Sequence, residues 1–413
     1  MMRFLTAGES HGESLLAILD GMPAGLLLSA EAIDGWLGRR QLGHGRGRRM
    51  AIESDRVEIL SGVRRGRTLG TPIGLRIANR DWVNWQWTMA VEAEPPAAAT
   101  GAHRAALTRP RPGHADLAGA LKYGHHDLRD VLERASARET AARVAVGACA
   151  AVLLERLGVR LASHVTAIGG ARLPPGPARP FELIAGIAPD DEVRCLEAES
   201  RREMIAAIDA AKAAGDTVGG SFEVVARGVP PGLGSYAQWD RRLDGRLAQA
   251  LMSIPAIKAV EIGDGVAAAF RPGSTVHDPI LPATEPGRPD RLTRPTNHAG
   301  GIEGGVSNGE DVRVTAYMKP IPTLMTPLPS VDLATGRETA ASIERSDVCA
   351  VPAASVVGEA VVAIALADAA METFGGDTVD DMVRGLDLWR ESRRRGFAPR
   401  MVPGETAGGA VEP

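Results

Sequence analysis

The sequence predicts an α+β protein, a β-α-β sandwich in which buried helices lie between two sheets. Short apolar segments bounded by glycine and proline indicate strands. Two longer segments, 144–158 and part of 344–376, are apolar on nearly every side, and a helix of that composition is normally buried inside its domain. A third observation, an internal repeat of strands followed by such a helix, indicates that the helices separate two sheets.

The repeat is visible as an alignment without gaps between GESHGESLLAILDGMPAGL at Gly8 and GDTVGGSFEVVARGVPPGL at Gly215. Further along, GHAD parallels NHAG, and a Glu-Arg pair precedes each apolar helix. Such spacing is unlikely by chance. We therefore expect two degenerate copies, about 3–157 and 215–373, within a single catalytic domain spanning 1–395. The residues from 396 to 413 are expected to be a disordered tail because they lack periodicity.

Composition excludes several classes of protein. The chain has 413 residues, of which 44% are apolar and 24% charged, as in ordinary globular proteins. Its net charge of −4 argues against a protein that is basic overall and coats nucleic acid. Only four of the 47 basic residues are lysines, so local arginine clusters must carry any anion binding.

Cysteine usage and apolar runs indicate a soluble cytoplasmic protein. The three cysteines are far apart in sequence, which suggests neither a zinc or other metal site nor a disulfide framework. The N-terminus does not have the pattern of a signal peptide. The longest apolar run, Val144–Leu154, is shorter than the roughly 18 residues a membrane helix needs. We expect no membrane partner.

The first elements follow from local patterns. Arg3 to Ala7 predicts a strand, GESHG a tight turn that holds His11, and SLLAILDG a buried strand. Ser29 is a suitable N-cap for a helix that runs to about Arg40. Glycine-flanked turns bring side chains close to ligands, so His11 is a candidate functional residue.

An arginine-rich loop, RRQLGHGRGRR, follows that helix. Its five arginines within eleven residues (Arg39, Arg40, Arg46, Arg48 and Arg49) suit phosphates and carboxylates, which guanidinium groups bind in a bidentate fashion. A nucleic-acid patch and a solvated loop are the alternatives. The loop contains no interleaved aromatic residues for base stacking, which disfavours nucleic acid as a partner.

The stretch from Arg109 to Arg143 joins a proline-stiffened loop, which holds His114, to the first apolar helix. Burial of that helix is expected to carry Arg134, Ser136 and Arg138 inward. Buried guanidinium groups are rarely left without partners. Either an anion binds there, or an internal network with Glu133 and Glu139 satisfies the arginines.

The remaining elements alternate between strands and helices. The predicted strands are Val57–Gly62, Pro72–Ala78, Phe222–Ala226, Ala259–Ile262 and Val312–Met318, and the predicted helices are Glu192–Ala214 and Tyr236–Ser253. The tryptophans at 82, 85 and 87 are expected to pack against the protein. NHAGGIEGG, at 297–305, is a glycine-rich turn that can approach an anion or a planar ring, and KPIPT is a rigid extended segment.

Seven motifs in this order resemble those of the chorismate synthase family: GESHG, RPGHAD, ERASARET, ALMSIPAIKAVEIGDG, NHAGGIEGG, KPIPT and RSDVC. The resemblance covers about residues 3 to 375. It implies loss of phosphate from 5-enolpyruvylshikimate 3-phosphate to give chorismate, with reduced FMN required although there is no net redox change. It also implies a homotetramer. No stretch remains for a separate NAD(P)H-dependent flavin reductase domain, so we expect an external source of reduced flavin.

The resemblance assigns roles to individual residues. His11 corresponds to the acid that assists the departing phosphate, His114 to the group that protonates the reduced flavin, and Asp347 to the proton acceptor. Substrate-contacting positions are Ser10, Arg46, Arg49, Ser136 and Arg138. Flavin-contacting positions, or positions at the entrance, are Arg40, Arg46, Arg134, Ala135, Ser136, Pro255, Ala256, Gly304, Lys319, Pro320, Ile321, Pro322, Thr323 and Arg345. Family members often have Asn-Ala where this chain has Pro255-Ala256, which leaves the flavin contact at Pro255 open.

Two other functions compete with this lyase. One is an arginine-rich polyanion-binding protein, and the other is a flavin-free phosphate lyase. The combination of His11 and His114 with Ser136 and Asp347 favours the flavin-dependent lyase, because simple anion binding requires no proton-transfer groups.

Overall fold

The computed structural model describes residues 1–47, 55–94, 105–282, 292–344 and 346–396. In chain order the strands are β1 (Arg3–Ala7), β2 (Ser14–Asp20), β3 (Val57–Ile59), β4 (Val63–Arg64), β5 (Arg67–Thr68), β6 (Ile73–Ala78), β7 (Arg160–Ile168), β8 (Ala171–Arg172), β9 (Gly220–Arg227), β10 (Ile257–Ile262), β11 (Leu281–Pro282), β12 (Leu292–Thr293), β13 (Ile302–Glu303), β14 (Val306–Ser307), β15 (Val312–Met318), β16 (Pro329–Asp332) and β17 (Arg337–Ala340). The helices are α1 (Ala30–Gln41), α2 (Asp116–Tyr123), α3 (Arg129–Leu132), α4 (Thr140–Arg156), α5 (Phe181–Ala185), α6 (Ala198–Ala213), α7 (Leu243–Met252), α8 (Gly265–Ala268), α9 (Val351–Phe374) and α10 (Val379–Gly396).

Two antiparallel sheets organise the fold. The first sheet has the strand order β1-β2-β6-β3, and the second has the order β10-β15-β9-β7-β8. In the first sheet Arg3 pairs with Asp20 and Ser14 pairs with Ala78. The other strands form four separate two-stranded hairpins.

The apolar helices lie between the two sheets. Helix α4 packs on β2 and β6 of the first sheet and on α9, while α9 packs on β7 and β9 of the second sheet. Both helices are buried along most of their length. Gly147 allows their close approach, because a side-chain carbon there would overlap Ala360. The predicted mixed α and β architecture, with helices between sheets, is therefore present.

Helix α9 is long and apolar enough to cross a membrane by length and composition, but 83% of its most apolar 18-residue window is buried within the protein. Its apolar surface faces α4, α7 and the second sheet. These contacts make it a core helix of the sandwich.

Strand β2 differs from the buried strand that was predicted. Leu15, Ala17 and Leu19 face the core, whereas Leu16 and Ile18 are 41% and 52% exposed on the outer face of the first sheet. Its apolar residues run through both faces of the pleat, and only one face is covered by helices.

Two predicted helices begin later than expected. Helix α6 starts at Ala198 rather than Glu192, because Arg194 adopts a left-handed conformation (φ 56°) and turns its guanidinium into the core. Helix α7 starts at Leu243 rather than Tyr236, and a short 3₁₀ turn precedes it. Arg242, at the N-cap of α7, donates a hydrogen bond to the carbonyl of Gly304.

The other predicted elements match closely. Strands β1 and β15 have the predicted bounds, and β3 and β6 are shorter than predicted by three residues and one residue. Ser29 caps α1, accepting a hydrogen bond from the Ala32 amide. Helix α10 was not predicted, and the tail beyond Gly396 lies outside the described residues.

Candidate active site

The loop between β1 and β2 holds His11 against Glu133. The amide of Ser10 donates to the Glu133 carbonyl (2.9 Å), and the His11 amide donates to a Glu133 carboxylate oxygen (2.8 Å). The His11 ring places Nδ1 2.9 Å from both carboxylate oxygens of Glu133. It also stacks on Trp85, with ring centroids 3.7 Å apart. Backbone and side chain of His11 are thus fixed by the same carboxylate.

Glu133 remains ionised in this position. Burial alone would raise the pKa of Glu133, but the hydrogen bonds and charge of His11 and the charge of Arg129 outweigh burial and lower that pKa. The side chain is 1% exposed. The ionised carboxylate can only accept hydrogen bonds.

The structure brings Ser10, Ser136 and Arg138 together. The Ser136 hydroxyl donates to the Ser10 hydroxyl (3.2 Å) and accepts a bond from the Arg138 amide (3.3 Å). The Arg138 guanidinium is paired with Asp55, which also lies 3.4 Å from Arg40. An internal ion-pair network does exist here, but its carboxylate for Arg138 is Asp55 rather than Glu133 or Glu139.

Arg40 is buried and bound to the segment that leads into α4. It donates to the Thr140 hydroxyl (3.0 Å) and to the Ala137 carbonyl (3.0 Å). Three elements that are distant in sequence are thereby joined: the end of α1, the segment that contains Asp55, and the start of α4. Several groups therefore hold the Arg40 side chain at once.

Arg134 is not carried inward, which corrects the prediction. Helix α4 begins at Thr140, so Arg134 lies outside it, and its side chain is 41% exposed. The guanidinium donates to the carbonyls of Thr6 and Gly8 at 3.0 and 3.1 Å. Glu139 is 3.9 Å away but is engaged mainly by Arg143.

A cleft of about 510 Å³ adjoins these residues. Its lining consists of Phe4, Leu5, Thr6, Arg134, Ala135, Ser136, Glu139, Arg143 and Pro255. Ligand-binding pockets commonly have volumes of about 300–1,000 Å³ and combine an apolar lining with a few polar groups. The cleft therefore has the size of a small-molecule site, and exposed Arg134 could bind an anionic group there.

The segment after β15 connects this cleft to the second histidine. The Lys319 amide donates to the Ala256 carbonyl (2.9 Å), and the Lys319 ammonium donates to the Gly113 carbonyl (3.0 Å). Burial lowers the pKa of Lys319, and the charge of Lys258 lowers it further. Two neighbouring cations of this kind are stabilised by a bound anion.

His114 is held in the same way as His11. Its Nδ1 lies 2.6 Å from Asp116, whose side chain is 2% exposed. Arg111 binds the same carboxylate at 2.8 and 3.1 Å and also donates to the Thr323 hydroxyl (2.9 Å). Burial alone would raise the pKa of Asp116, but hydrogen bonds from His114 and Arg111 outweigh burial and hold that pKa well below its usual range.

Asp347 is bound by the arginine-rich loop. Arg46 lies 2.6 Å from one carboxylate oxygen, and the Gly47 amide donates to the other at 2.7 Å. The Nε of Arg46 is buried and has no hydrogen-bond partner among the described residues. Val348 donates to the Gly45 carbonyl, which anchors the loop beside the start of α9. The unsatisfied Arg46 donor fits a site that accepts a further anion.

Other predicted residues are placed differently. Ile321 lies in the KPIPT segment, and its carbonyl accepts a hydrogen bond from the Thr217 hydroxyl (2.7 Å). Gly304 lies beside Arg242, at the N-terminal end of α7, whereas Pro255 follows the C-terminal end, roughly 15 Å away at 1.5 Å per residue. Arg49 and Arg345 lie outside the described residues.

Sequence reasoning missed the carboxylates. The ion pairs that Asp55 forms, and the hydrogen bonds of Glu133 and Asp116 with the histidines, were not predicted. Asp116 had a local signal, since it follows His114 by two residues at a loop-to-helix junction. Asp55 had none, because its partner Arg138 is 83 residues away.

Comparison with known proteins identifies the family. The profile of the family described as chorismate synthase matches residues 2–371. A chorismate synthase of Moorella thermoacetica is 57% identical over 395 residues, which is 95% of this chain and 99% of that protein. One from Trichlorobacter lovleyi is 56% identical over 389 residues, covering 94% and 98%.

A solved structure supports the same assignment. A crystal structure of chorismate synthase matches with a TM-score of 0.75 and 43% sequence identity, and the match covers 95% of this chain and 98% of that one. The similarity thus extends over nearly the whole chain. The chain belongs to the chorismate synthase family.

Proposed function

We propose that this chain carries out its family's reaction as a lyase of aromatic amino acid biosynthesis. It would eliminate phosphate from 5-enolpyruvylshikimate 3-phosphate to give chorismate, with reduced FMN and no net redox change. The observation that carries the proposal is the cleft lined by Ser136 and exposed Arg134, where the Ser136 hydroxyl contacts Ser10, the residue before His11. The alternatives, a polyanion-binding protein and a flavin-free lyase, have no comparable support.

The cleft residues fit the flavin. Arg134, Ala135, Ser136 and Pro255 would form one wall, and the segment 319–323 would extend it toward His114. Reduced FMN, when bound, would supply electron density that helps the allylic phosphate leave. The cations at Lys319 and Arg134 would balance the phosphate of the cofactor.

The residues of the chain would bind the anionic substrate and manage its protons. Ser10 and Ser136 would hold substrate oxygens, and Arg46 would use its unsatisfied Nε for the same purpose. His11 would give a proton to the departing phosphate, and His114 would provide the second proton-transfer group. Asp347 would accept a proton only after its contacts with Arg46 and Gly47 rearrange, because both of its oxygens are engaged.

Anaerobic turnover tests this function. The purified chain is mixed with the substrate and with photoreduced FMN, oxidised FMN or no flavin, and chorismate is measured. We expect product only with reduced FMN. Turnover without flavin would favour the flavin-free lyase. A rise in melting temperature with an oligonucleotide, but not with FMN and substrate, would favour the polyanion-binding protein.

Assembly and location form a second part of the proposal. The chain would act as a cytoplasmic homotetramer that receives reduced flavin from an external source. Support comes from the outer face of the first sheet, where Leu5, Leu16 and Ile18 are 75%, 41% and 52% exposed. Exposed apolar patches of this kind mark interfaces. Light scattering of the purified protein should give four times the chain mass, and a monomer would contradict the assembly.

The third part of the proposal is that the chain consists of two degenerate copies of one unit. The strand order β1-β2-β6-β3 of the first sheet has a counterpart in β7-β9-β15-β10 of the second. Gly147 and Gly358 are each the eighth residue of their helix, α4 and α9. These correspondences support two copies, with the second beginning at β7 rather than at residue 215. A superposition of the two sets of elements that places α4 and α9 out of register would contradict it.

A further inference from the structure

We propose that Glu133 and Asp116 are positioning residues for the two histidines. Each carboxylate would keep a proton on Nδ1 of its histidine, so that proton exchange with bound ligands passes through Nε2. The inference rests on the proposed function, because it assigns these carboxylates to the proton-transfer steps of that reaction. It adds two residues that the sequence motifs had not assigned to the chemistry.

The geometry at His11 supports a fixed tautomer. Both oxygens of Glu133 lie 2.9 Å from Nδ1, and one of them also accepts the His11 amide. Because an ionised carboxylate only accepts hydrogen bonds, Nδ1 must carry the proton. Stacking on Trp85 prevents the ring from rotating away from this contact. The charged group beside the carboxylate is Arg129, 3.5 Å away.

The geometry at His114 is equivalent. Asp116 is 2.6 Å from Nδ1 and is held by two further bonds from Arg111. Arg111 also has a nitrogen 3.1 Å from Nδ1. Since Nδ1 already donates to Asp116, that contact joins two protonated nitrogens and is not a hydrogen bond. Arg111 thus acts on the ring through the carboxylate, which it locks in place.

One scaffold carries both carboxylates. Asp116 is the first residue of α2, and Glu133 directly follows α3. The two helices pack together, with Gly119 against Val131. A movement of this helix pair would displace both histidines together. The arrangement therefore couples the orientation of the two proton-transfer groups.

The proton inventory follows from the fixed tautomer. A doubly protonated His11 gives its Nε2 proton to an oxygen of the departing phosphate and becomes the neutral ring that retains the proton on Nδ1. The carboxylate of Glu133 stays ionised throughout, as the carboxylate of a histidine-orienting residue normally does. In the second pair, His114 would exchange its proton through Nε2, and Asp116 would stay ionised and keep the proton on Nδ1. Water restores the proton at Nε2 after product release.

His11 and His114 each lie in a group of a histidine, a carboxylate and an arginine. A third group of this kind in the chain provides a matched control. His164, Glu223 and Arg313 form a buried histidine-carboxylate-arginine group on the second sheet, with Glu223 2.9 Å from both partners. Here the carboxylate contacts Nε2, and the Nδ1 of His164 is buried without a partner among the described residues. This triad lies in the sheet away from the cleft. It therefore has the same chemistry without access to the substrate.

The test compares Glu133→Gln, Asp116→Asn and Glu223→Gln with the unmodified chain. The first two variants should lose at least about a hundredfold in kcat, since that is a typical contribution of a proton-transfer group, with KM for the substrate changed by less than about threefold. Glu223→Gln should keep its kcat. Losses below about threefold in the first two variants, or an equal loss in Glu223→Gln, would overturn the proposal.

Imidazole nitrogen NMR gives a readout that is independent of turnover. In the unmodified chain at neutral pH, His11 and His114 should show a proton on Nδ1, with signals assigned from His11→Gln and His114→Gln. In Glu133→Gln the His11 signal should change while that of His164 does not. A proton found only on Nε2 of either ring would refute the positioning role. If the unmodified chain shows no turnover but the Nδ1 protons are present, the proposed function fails instead.

Discussion

Replacing Glu359 tests whether a buried ion-pair network holds the two halves of the sandwich together. Glu359 lies in the middle of α9 and is fully buried. Its carboxylate accepts bonds from Arg39 on α1 (2.6 and 2.8 Å), from Arg194 (3.0 Å) and from the Ser163 hydroxyl on β7 (2.6 Å). Burial lowers the pKa of Arg194, and the charge of Glu359 opposes that effect.

The magnitude follows from removing one partner of a buried pair. Glu359→Gln keeps the shape but leaves two guanidinium groups without a counter-charge, and such losses cost about 3–5 kcal/mol. Unfolding entropy is about 2.1 cal/mol/K per residue, so 413 residues give roughly 0.9 kcal/mol/K. We therefore expect the melting temperature to fall by about 3–6 °C.

A matched control lies on the same helix. Glu372 binds Arg246 through two bonds of 2.9 and 3.0 Å near the surface. Surface pairs contribute about 0–1 kcal/mol, so Glu372→Gln should lower the melting temperature by about 1 °C or less. The assay is differential scanning calorimetry of both variants in the same buffer. If Glu359→Gln melts no lower than Glu372→Gln, the network does not stabilise the fold.

Four further predictions follow from the site and the core. His11→Ala and His114→Ala should each lose about 10² to 10⁴ in turnover while remaining folded by circular dichroism, and a loss below about threefold would remove that residue from the mechanism. Arg138→Ala should weaken substrate binding by about 1.5–3 kcal/mol in calorimetry; unchanged affinity would assign it to the internal network alone. Gly147→Ala should destabilise the fold by about 1–3 kcal/mol, although alanine has the better helix propensity, because α9 leaves no room for the added methyl group. A variant that is more stable than the unmodified chain in denaturant unfolding would contradict this packing. Burial would raise the pKa of Glu223, but its histidine and arginine partners outweigh burial and lower that pKa. The stability that ionised Glu223 contributes is therefore fully present above its unfolded pKa of about 4.3 and is lost as the pH falls below that value. Below about pH 4.3, the stability of Glu223→Gln should therefore depend less steeply on pH than that of the unmodified chain in acid unfolding measurements.

Several strands were predictable from the sequence alone. Strands β1 and β15 match because short apolar runs end at glycine, proline or charged residues. Strand β7 was missed because polar Ser163 and His164, both buried, interrupt its apolar pattern. Helix α10 had a signal in the spacing of Val379, Met382 and Leu386, all buried, although charged residues surround them.

Tertiary contacts decided the boundaries that were mispredicted. The residues before α6 have good helical composition, yet Arg194 is drawn into the core by Ser163, Ser355 and Glu359. That pull requires the left-handed backbone conformation at Arg194, which no helix accommodates. A local pattern cannot contain this information, because Glu359 is 165 residues away.

The candidate site likewise has features that a local motif predicts and features that depend on distant segments. The motifs named Ser10, His11 and Ser136, and the structure brings the Ser10 and Ser136 hydroxyls to 3.2 Å from each other. The carboxylates that fix those groups come from other segments, and no spacing rule links Asp55 to Arg138. Prediction therefore found the groups within single motifs and missed their carboxylate partners from other segments.

The proposed duplication explains why the two helix starts differ chemically. Ser136 lies four residues before the first residue of α4, and Asp347 lies four residues before that of α9. Equivalent positions thus hold a hydroxyl in one copy and a carboxylate in the other. A hydroxyl at both positions would offer no carboxylate to accept a proton. Under the duplication, divergence at this one position would give the second copy a carboxylate, which lies 2.6 Å from Arg46 of the first copy, beside the Arg46 Nε that would bind an anion.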